Sequence, residues 1–485
     1  MVRNAQHTST LPEADLLQNS LKGSIVYPGD AGYDDDRRVL NGLIDRYPAA
    51  IVRPSGVADV VEVVNYAREH DVLLSVRAGG HNIAGRAVND GGIVLDLRSM
   101  RAVSVDPVAR TAWVQGGATW ADLDRETQLY GLAAPGGVVS TTGIGGLTLH
   151  GGVGHLRRTF GLSIDNLLRV EIVTADGTVH RAGADTDSDL FWAVQGAGSN
   201  FGVVTGFEFR LHPVGPEVEL IATMYPLEDG ERVLRGWREF IAGMPDVVNS
   251  IALPWSVPDA DPFPPEIRGR PIVLISAVYA GPPEDGRRLL QPLRELAEPV
   301  LDISHTERYV NVQTSFDPFF PEGRNYYWKS RYVDALTDRA IDIMVDIARS
   351  RPSPHSDLLI WHLGGAFARV ADDATAFGRR SAPFLVNVEA SWDDPADTER
   401  NIAWTRDGID RLEPFSHGGQ YLNFPGLGEE KDAQLRDAYG ANYERLTQTQ
   451  GPVRSRQSVP VESQYRSGRM TRSHQGRLRT VRSNW

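Results

Sequence analysis

Residues 142–155 read TGIGGLTLHGGVGH and form the centre of a glycine-rich segment that decides the fold. Nine glycines fall within the 26 residues from Gly136 to Gly161. Glycine adopts positive φ angles and lets a ligand approach the backbone closely, and successive bare amides form nests for anions such as pyrophosphate. A lone glycine usually marks only a turn, but this density predicts a site for a phosphate-bearing cofactor.

These glycines match neither of the two common nucleotide-binding patterns. A G-x-G-x-x-G fingerprint beginning at Gly143 would need glycine in place of Thr148, and one beginning at Gly196 would need it in place of Phe201. A Walker A motif is also absent from the sequence. Any nucleotide is therefore expected to bind through a different architecture.

A second glycine loop, RAGGHN at 77–82, directly follows the predicted strand 72–76. Its two glycines let the backbone wrap around a phosphate, Arg77 can complement the charge, and His81 stands at the tip. A lone loop histidine is more often a surface or hydrogen-bonding residue. The second glycine cluster favours the functional interpretation.

Six segments in this order resemble the vanillyl-alcohol-oxidase-type flavoproteins and, within them, the berberine-bridge-enzyme-like branch. They are PAAIVRP at 48–54, VRAGGHNIAG at 76–85, residues 142–155 with DNL at 165–167, DLFWAVQGAGSNFGVV at 189–204, NYYWKS at 325–330 and YLNF at 421–424. The likeness spans about residues 45–446. The ordered set is specific, although no single piece is.

The resemblance implies an α+β protein with a two-domain PCMH-type FAD-binding fold, whose substrate domain is an antiparallel sheet covered by helices. It also implies FAD as the cofactor. The residues it assigns to the FAD site are Arg77, Ala78, Gly79, Gly80, His81, Asn82, Thr141, Thr142, Gly143, Gly145, Gly146, Gly151, Gly152, Gly154 and Val204.

In this family the loop histidine carries the flavin covalently at its 8α position, and His81 occupies that place. Many members add a second link through a cysteine, whose position matches Val139. The chain has no cysteine, so the resemblance implies a single covalent link, as in the bacterial 6-hydroxynicotine-oxidase-like members. Plant members often carry tyrosine where Val153 stands, so their apparatus for substrate deprotonation is not transferred.

The chain is expected to divide near residue 215, where the segment 212–216 reads HPVGP. We predict an FAD-binding domain over 1–215 with its core at about 45–215, a substrate domain over 216–418, and a return to the first domain over 419–447. Within the second domain, strands are predicted at 272–279, 358–363 and 384–392. Residues 310–330 are predicted to form irregular aromatic loops, and 432–446 a single helix.

Four residues in the later segments are candidates for catalysis. Lys329, within aromatic residues, is either a partly buried cation near the flavin or a surface side chain. Tyr421 and Asn423 either bond at the flavin ring or belong to an ordinary strand. Glu389 alternates with Val388 on a predicted strand, so it is either a base facing the site or a solvent-facing residue.

We therefore expect an FAD-linked oxidase that transfers hydride from an alcohol, hemiacetal or amine C–H of a small-molecule substrate to covalent FAD. Reoxidation by O2 would release hydrogen peroxide. The alternatives are a dehydrogenase of the same fold that uses another acceptor, and a non-catalytic protein that keeps the FAD fold.

Composition excludes several other classes. The 485 residues carry a formal charge of −13, which disfavours nucleic-acid and anionic-membrane binding. Histidines are scattered without a metal-binding spacing, so no metal is expected. No apolar run is long enough for a transmembrane helix and the first ten residues have no apolar stretch, so we expect a cytoplasmic protein.

Residues 448–485 differ in character from the rest of the chain. They contain one acidic residue, Glu462, and eight arginines between Arg454 and Arg482. We interpret them as a frameshifted tail without regular structure, and not as a nucleic-acid-binding arm. Codons for 453–466 can be chosen so that a reading one base later encodes YDPDNLFRLNHNI, which resembles the usual ending of the family.

Overall fold

A computed structural model describes residues 11–428 and 432–454. The described residues of the first half form two large sheets and one separate pair of strands. The first has the strand order β1-β2-β4-β3, with β2, β4 and β3 parallel. Its strands are β1 Ser24–Val26, β2 Ala50–Arg53, β3 Leu74–Arg77 and β4 Ile93–Asp96. Because β3 ends at Arg77, the glycine loop 77–82 emerges at the end of this sheet.

The second sheet of this half is antiparallel, in the order β5-β6-β10-β8-β9. Its strands are β5 Val103–Asp106, β6 Thr111–Gln115, β8 Leu167–Val173, β9 Val179–Gly183 and β10 Val203–Arg210, and a separate pair joins β7 Leu132–Ala133 to β11 His212–Pro213. Strands β8 and β9 form a hairpin whose turn contains Gly177, which has a φ of 80°.

Seven helices accompany these sheets in the described part of the first half. They are α1 Ala14–Ser20, α2 Tyr33–Asp36, α3 Val57–Glu69, α4 Trp120–Thr127, α5 Ile144–Thr148, α6 Arg157–Phe160 and α7 Ser188–Ala197. Helix α4 begins with a capping box. The Thr119 hydroxyl accepts from the amide of Asp122, whose carboxylate accepts from the amide of Thr119.

The second half is built on one antiparallel sheet in the order β15-β12-β14-β13-β18-β19-β17, with β16 beside β12. Its strands are β12 Glu217–Pro226, β13 Val248–Ser256, β14 Pro271–Tyr279, β15 Leu301–Asp302, β16 His305–Arg308, β17 Asn325–Val333, β18 Asp357–His362 and β19 Phe384–Trp392. The expectation of irregular loops over 310–330 is wrong at both ends, because helix α10 Tyr309–Thr314 occupies its start and β17 occupies its last residues.

Helices cover only one face of this sheet. They are α8 Gly230–Ile241, α9 Pro283–Leu290, α11 Asp338–Arg349 and α13 Thr398–Arg411, while the short α10 Tyr309–Thr314 and α12 Ala366–Arg369 lie in connections. Val386 and Val388 of β19 pack in the helix-covered core. Leu385, one position before Val386 and therefore on the opposite face, packs with Val153 and Tyr421. The predicted α+β class with an antiparallel, helix-covered sheet is confirmed.

The polar contacts that join the halves include those of Asp317 and Asp124. The Asp317 carboxylate accepts hydrogen bonds from the Ser140 amide at 2.7 Å and the Ser140 hydroxyl at 2.5 Å. Asp124 of α4 is buried against α10, where the Gln313 side-chain amide donates to its Oδ2 at 3.0 Å. Burial raises the pKa of Asp124 to about 7.

Residues 432–446 form parts of two helices where one was predicted, α14 Asp432–Tyr439 and α15 Asn442–Arg454. Gly440, at a φ of 53°, separates them. Tyr443 and Leu446 pack into the core of the first half. Helix α15 continues through 448–454, so the expected lack of regular structure is wrong there. Residues 455–485 lie outside the described residues, and the frameshift stays a prediction that resequencing of codons 447–450 tests.

Candidate active site

A long cleft runs between the first half and the helix-free face of the large sheet. One wall consists of the loop 78–82 and parts of the glycine-rich segment, and the opposite wall consists of side chains from β13, β17, β18 and β19. The described residues contain no group of three His, Asp or Glu side chains arranged to hold a metal ion. They also contain no helix long and apolar enough to cross a bilayer.

The two glycine loops touch each other at the floor of the cleft. A Cβ added to Gly79 would lie 2.2 Å from the amide nitrogen of Gly143, so both positions require glycine. Gly146 differs, because an added Cβ would meet no protein atom within 4 Å. Its bare backbone faces the cleft, where a ligand can approach closely.

Some of the predicted cofactor-binding residues line the cleft and others do not. Those that line the cleft are Ala78, Gly79, Gly80, His81, Asn82, Thr142, Gly143, Gly145, Gly146 and Val204. Thr141 is outside this lining, but its hydroxyl contacts the His81 ring.

Arg77 does not have the role expected of it. Its guanidinium is buried and donates to the Asp96 carboxylate at 2.5 Å and to the carbonyls of Asp36 and Arg38. Because Arg77 is the last residue of β3 and pairs with Asp96 of β4, its side chain is held inside the sheet edge. Arg77 therefore anchors the start of the loop and does not face a phosphate in the cleft.

Gly151, Gly152 and Gly154 also lie outside the cleft lining, contrary to the prediction. An added Cβ at Gly152 would lie 2.1 Å from the Ser163 hydroxyl, and one at Gly154 would lie 1.7 Å from the Gly136 carbonyl oxygen. Gly151 packs against Phe377. These glycines serve close packing of the segment against protein, which the glycine count alone does not distinguish from ligand contact.

His81 lies in the cleft between two hydroxyl groups. Its Nε2 is 3.1 Å from Thr141 Oγ1 and its Nδ1 is 3.3 Å from Thr142 Oγ1. Burial lowers the pKa of His81 to about 4. The ring is therefore neutral at pH 7 and keeps one nitrogen lone pair, as a nucleophilic attachment site requires.

Tyr421 and Asn423 form one hydrogen-bonded unit at the glycine segment. The Tyr421 hydroxyl accepts from the amides of Gly152 at 2.9 Å and Val153 at 3.2 Å, and from Asn423 Nδ2 at 2.8 Å. Asn423 lines the cleft and also donates to the Leu147 carbonyl, whereas Tyr421 is buried behind it. Tyr421 therefore holds the backbone in position and does not itself face the cleft, contrary to the prediction for a ring contact.

Lys329 is on the wrong face of β17 to reach the cleft. It pairs with Val388, which packs in the helix-covered core, and it is absent from the residues that line the cleft. Its neighbour Trp328 pairs with Glu389, and both line the cleft. Segment 325–330 thus contributes Trp328 to the cleft, and alternation along the strand places Lys329 on the opposite face.

Glu389 does face the cleft, as one of its two predicted orientations requires. It is buried, and its Oε1 accepts a hydrogen bond from Asn387 Nδ2 at 2.9 Å. Directly opposite on β18 is Asp357, also buried and also lining the cleft. Burial raises the pKa of Glu389 to about 7, and burial together with Glu389 raises the pKa of Asp357.

Asp357 was missed by sequence reasoning. It precedes the apolar run LLIWHL, and the signal that could have found it is the alternation that places 357, 359 and 361 on one face. The same alternation places Leu359 and Trp361 on the cleft wall, while Ile251, Leu253 and Trp255 line it from β13. The wall around the two carboxyl groups is therefore apolar and aromatic.

The residues present fit FAD. The wall formed by the first half offers bare backbone at Gly146, a neutral histidine at the tip of a glycine loop, and apolar side chains such as Leu74 and Val204 along the cleft. These groups match a cofactor that combines a phosphate-bearing chain with flat rings.

Comparisons with known proteins agree with this site. The family described as FAD binding domain matches residues 48–183. An FAD-linked oxidoreductase of Dictyostelium discoideum is 33% identical over 402 residues, covering 82% of this chain and 86% of that protein. (R)-6-hydroxynicotine oxidase of Paenarthrobacter nicotinovorans is 44% identical over 193 residues, which is 40% of this chain and 42% of that protein.

The crystal structure of 6-hydroxy-D-nicotine oxidase from Arthrobacter nicotinovorans superposes with a TM-score of 0.80 at 28% identity, covering 92% of this chain and 97% of that one. The fold and cleft thus define an FAD-dependent oxidoreductase. The chain belongs to the FAD-linked oxidoreductases, and its fold is the PCMH-type FAD-binding fold that the sequence resemblance predicted.

Proposed function

We propose that this enzyme oxidises an alcohol, hemiacetal or amine C–H bond of a small molecule, with FAD attached through His81 and O2 as the final electron acceptor. The observation that supports it best is that one cleft holds a neutral histidine on one wall and a buried carboxyl pair on the other. FAD, when bound, accepts hydride, and O2 reoxidises it to give hydrogen peroxide.

His81 is proposed to provide the single covalent link. The neutral ring carries a free lone pair, and the hydroxyls of Thr141 and Thr142 can bond whichever nitrogen stays unlinked. Val139, which stands where relatives carry a second linking cysteine, lines the cleft with an inert side chain. One tether therefore remains available to this chain.

Glu389 is proposed to take the proton from the substrate O–H or N–H group while the adjacent C–H bond gives up hydride. A base works best when its pKa lies near the working pH, and burial brings the pKa of Glu389 to about 7. Asp357 is proposed to help keep the pKa of Glu389 raised, because two neighbouring buried carboxyl groups oppose each other's ionisation.

Asn423 is proposed to contact the bound cofactor or substrate, and Tyr421 to position it. Asn423 donates to the Leu147 carbonyl and to the Tyr421 hydroxyl, so its orientation is set from two sides. The apolar wall from β13 and β18 is proposed to exclude water from the reacting centre.

The test begins with the visible spectrum of the purified protein and of its acid precipitate. A yellow pellet, and a gel band that fluoresces under ultraviolet light, are expected for the native chain and absent for His81→Ala. His150→Ala is the matched control, since His150 also lines the cleft and burial also lowers its pKa to about 4. Equal fluorescence of the His81→Ala and native bands would refute the link.

Peroxide released during turnover then separates the oxidase from a dehydrogenase of the same fold. Turnover with an artificial electron acceptor, but no release of peroxide in air, would show that the enzyme uses an acceptor other than O2. A colourless protein, or a flavin that no small molecule reduces, would support the non-catalytic alternative.

A further inference from the structure

Three residues on adjacent strands form a single row across the cleft face of the large sheet. Asp357 of β18 is opposite Glu389 of β19, and Glu389 is opposite Trp328 of β17. All three line the cleft and are buried. Directly opposed residues in an antiparallel pair place their Cβ atoms about 4.5–5.5 Å apart, so the row can contact one small group simultaneously.

The acidic part of this row has no charged partner. Neither Asp357 nor Glu389 forms an ion pair within the part of the chain described by the structure, and Asp357 Oδ1 has no hydrogen-bond partner there. The charge of Arg351 opposes the rise in the pKa of Asp357, but its guanidinium donates to the Trp255 carbonyl, the Ser256 hydroxyl and the Ala348 carbonyl.

The remaining basic groups of the cleft do not neutralise the row. Arg86 comes from the opposite wall, on the loop that follows His81. Burial lowers the pKa of both His81 and His150 to about 4, so both are neutral at pH 7. Burial raises the pKa of Glu389 to about 7, and burial together with Glu389 raises the pKa of Asp357, so the row gains negative charge at Glu389 as the pH rises through about 7.

Aromatic rings pack around Trp328, the residue opposite Glu389 in this row. Trp328 meets Phe320 at 5.5 Å and Phe424 at 5.8 Å between ring centroids, both edge-to-face. Further along the cleft Trp255 meets Phe319 at 5.0 Å, also edge-to-face. An unpaired buried charge is costly, and aromatic faces attract organic cations, so both features favour a ligand that brings a positive charge into an apolar pocket.

We infer that the substrate is a small organic ammonium ion whose charged nitrogen is held by the row Asp357–Glu389–Trp328. This inference rests on the proposed function and narrows its alcohol, hemiacetal or amine to an amine. The ammonium N–H bond breaks and its proton passes to the shared carboxyl pair. The neighbouring C–H bond then breaks as hydride leaves to the flavin of the proposed function, and the nitrogen lone pair forms the C=N bond of an iminium product.

The experiment uses an isosteric pair of probes that the enzyme has no means of oxidising by this route. Benzyltrimethylammonium carries the charge, and 2,2-dimethylpropylbenzene has the same shape without it. Binding to the purified holoprotein is measured by quenching of tryptophan fluorescence, which reports on Trp328 and Trp255 and needs no turnover. We expect the cation to bind at least tenfold tighter at pH 8, and its advantage to shrink as pH falls through about 7.

Variants locate the charge that is responsible. Glu389→Gln should remove most of the cation's advantage. Asp357→Asn should instead lower the pH at which the cation's binding advantage appears, because Glu389 then no longer shares its site with a second acid. Asp393→Asn is the matched control, since Asp393 directly follows β19, is exposed and is outside the cleft lining.

Equal binding of the two probes, or a tenfold cation preference that survives in Glu389→Gln, would overturn the inference. Peroxide release with neutral alcohols and no cation preference would leave the proposed function standing and remove only the substrate class. A cation preference in a protein whose flavin no substrate reduces would support the ammonium site and refute the proposed oxidation.

Discussion

Two buried acidic sites of this protein differ in their partners. Asp96, at the end of β4, receives Arg77 at 2.5 Å and Arg98 at 2.9 Å, and these ion pairs outweigh its burial and lower its pKa. Glu389 has another acid, Asp357, opposite it and no cation paired with it in the described chain, and burial raises its pKa to about 7.

The difference separates a structural carboxylate from a reactive one. A buried charge matched by guanidinium groups holds strands and loops in place and stays ionised. A buried acid without such a match is poised to gain or lose a proton near neutral pH, which is the property expected of a catalytic base. Substitutions should therefore affect stability at one site and catalysis at the other.

The largest expected effect is on catalysis at the unpaired site. Glu389→Gln should lower kcat by about 10²–10⁴-fold, because it removes the proposed proton acceptor and keeps the size of the side chain. Thermal unfolding should stay at or above the native midpoint, since a buried acid becomes a neutral amide. Steady-state kinetics and calorimetry check this, with Asp393→Asn as control. An unchanged kcat would mean that Glu389 does not act as the base.

The next effect is on stability at the paired site. Arg77→Met should lower the free energy of unfolding by about 3–5 kcal/mol, because it leaves Asp96 and two backbone carbonyls without their donor. Urea unfolding measures the loss. The exposed Arg38→Met should change stability by less than about 0.5 kcal/mol. Equal losses in the two variants would show that the buried pair is not structural.

Tyr421→Phe tests an uncharged hydrogen-bonding group, whose loss should cost less stability than the loss of the Arg77–Asp96 ion pair. Removing the hydroxyl leaves the amides of Gly152 and Val153 without their acceptor and should cost about 1–3 kcal/mol. Tyr130→Phe, at an exposed tyrosine, is the control and should be silent. A Tyr421→Phe protein as stable as the native one would mean that other groups, such as water, satisfy these amides.

The smallest effect is expected at Asp124, which is buried without a cation but lies outside the cleft. Its pKa is raised from 3.8 to about 7, so between these pH values the unfolded chain is ionised while the folded one stays protonated. The free energy of unfolding should fall by about 2 kcal/mol from pH 5 to 7 because of this group. Asp124→Asn should flatten that slope without changing the pH profile of catalysis. A slope that persists would assign it to other groups.

Much of the cofactor wall was predictable from the sequence. Two short loops carry it, and each has a local signature that arises from backbone sterics. The contact between Gly79 and Gly143 leaves no room for a Cβ, and the loop with His81 follows a strand directly. The α+β class was predictable from the family resemblance, which rests on six motifs in a fixed order.

The opposite wall was only partly predictable. Glu389 was found because it lies on a clearly alternating strand, but Asp357 is 32 positions earlier and only sheet pairing brings it opposite. Lys329 shows the same problem in reverse. The period of two residues separates the faces of β17, but it does not say which face the helices cover.

The sequence by itself therefore determined the glycine loops and the position of His81, because steric constraints on the backbone act between neighbouring residues, and the ordered family motifs determined the class of fold. Tertiary structure alone decided which carboxyl groups meet, which aromatic residues face the cleft and which arginine is committed to an ion pair. Those outcomes depend on strand register and on burial, and both arise from contacts between residues far apart in the chain.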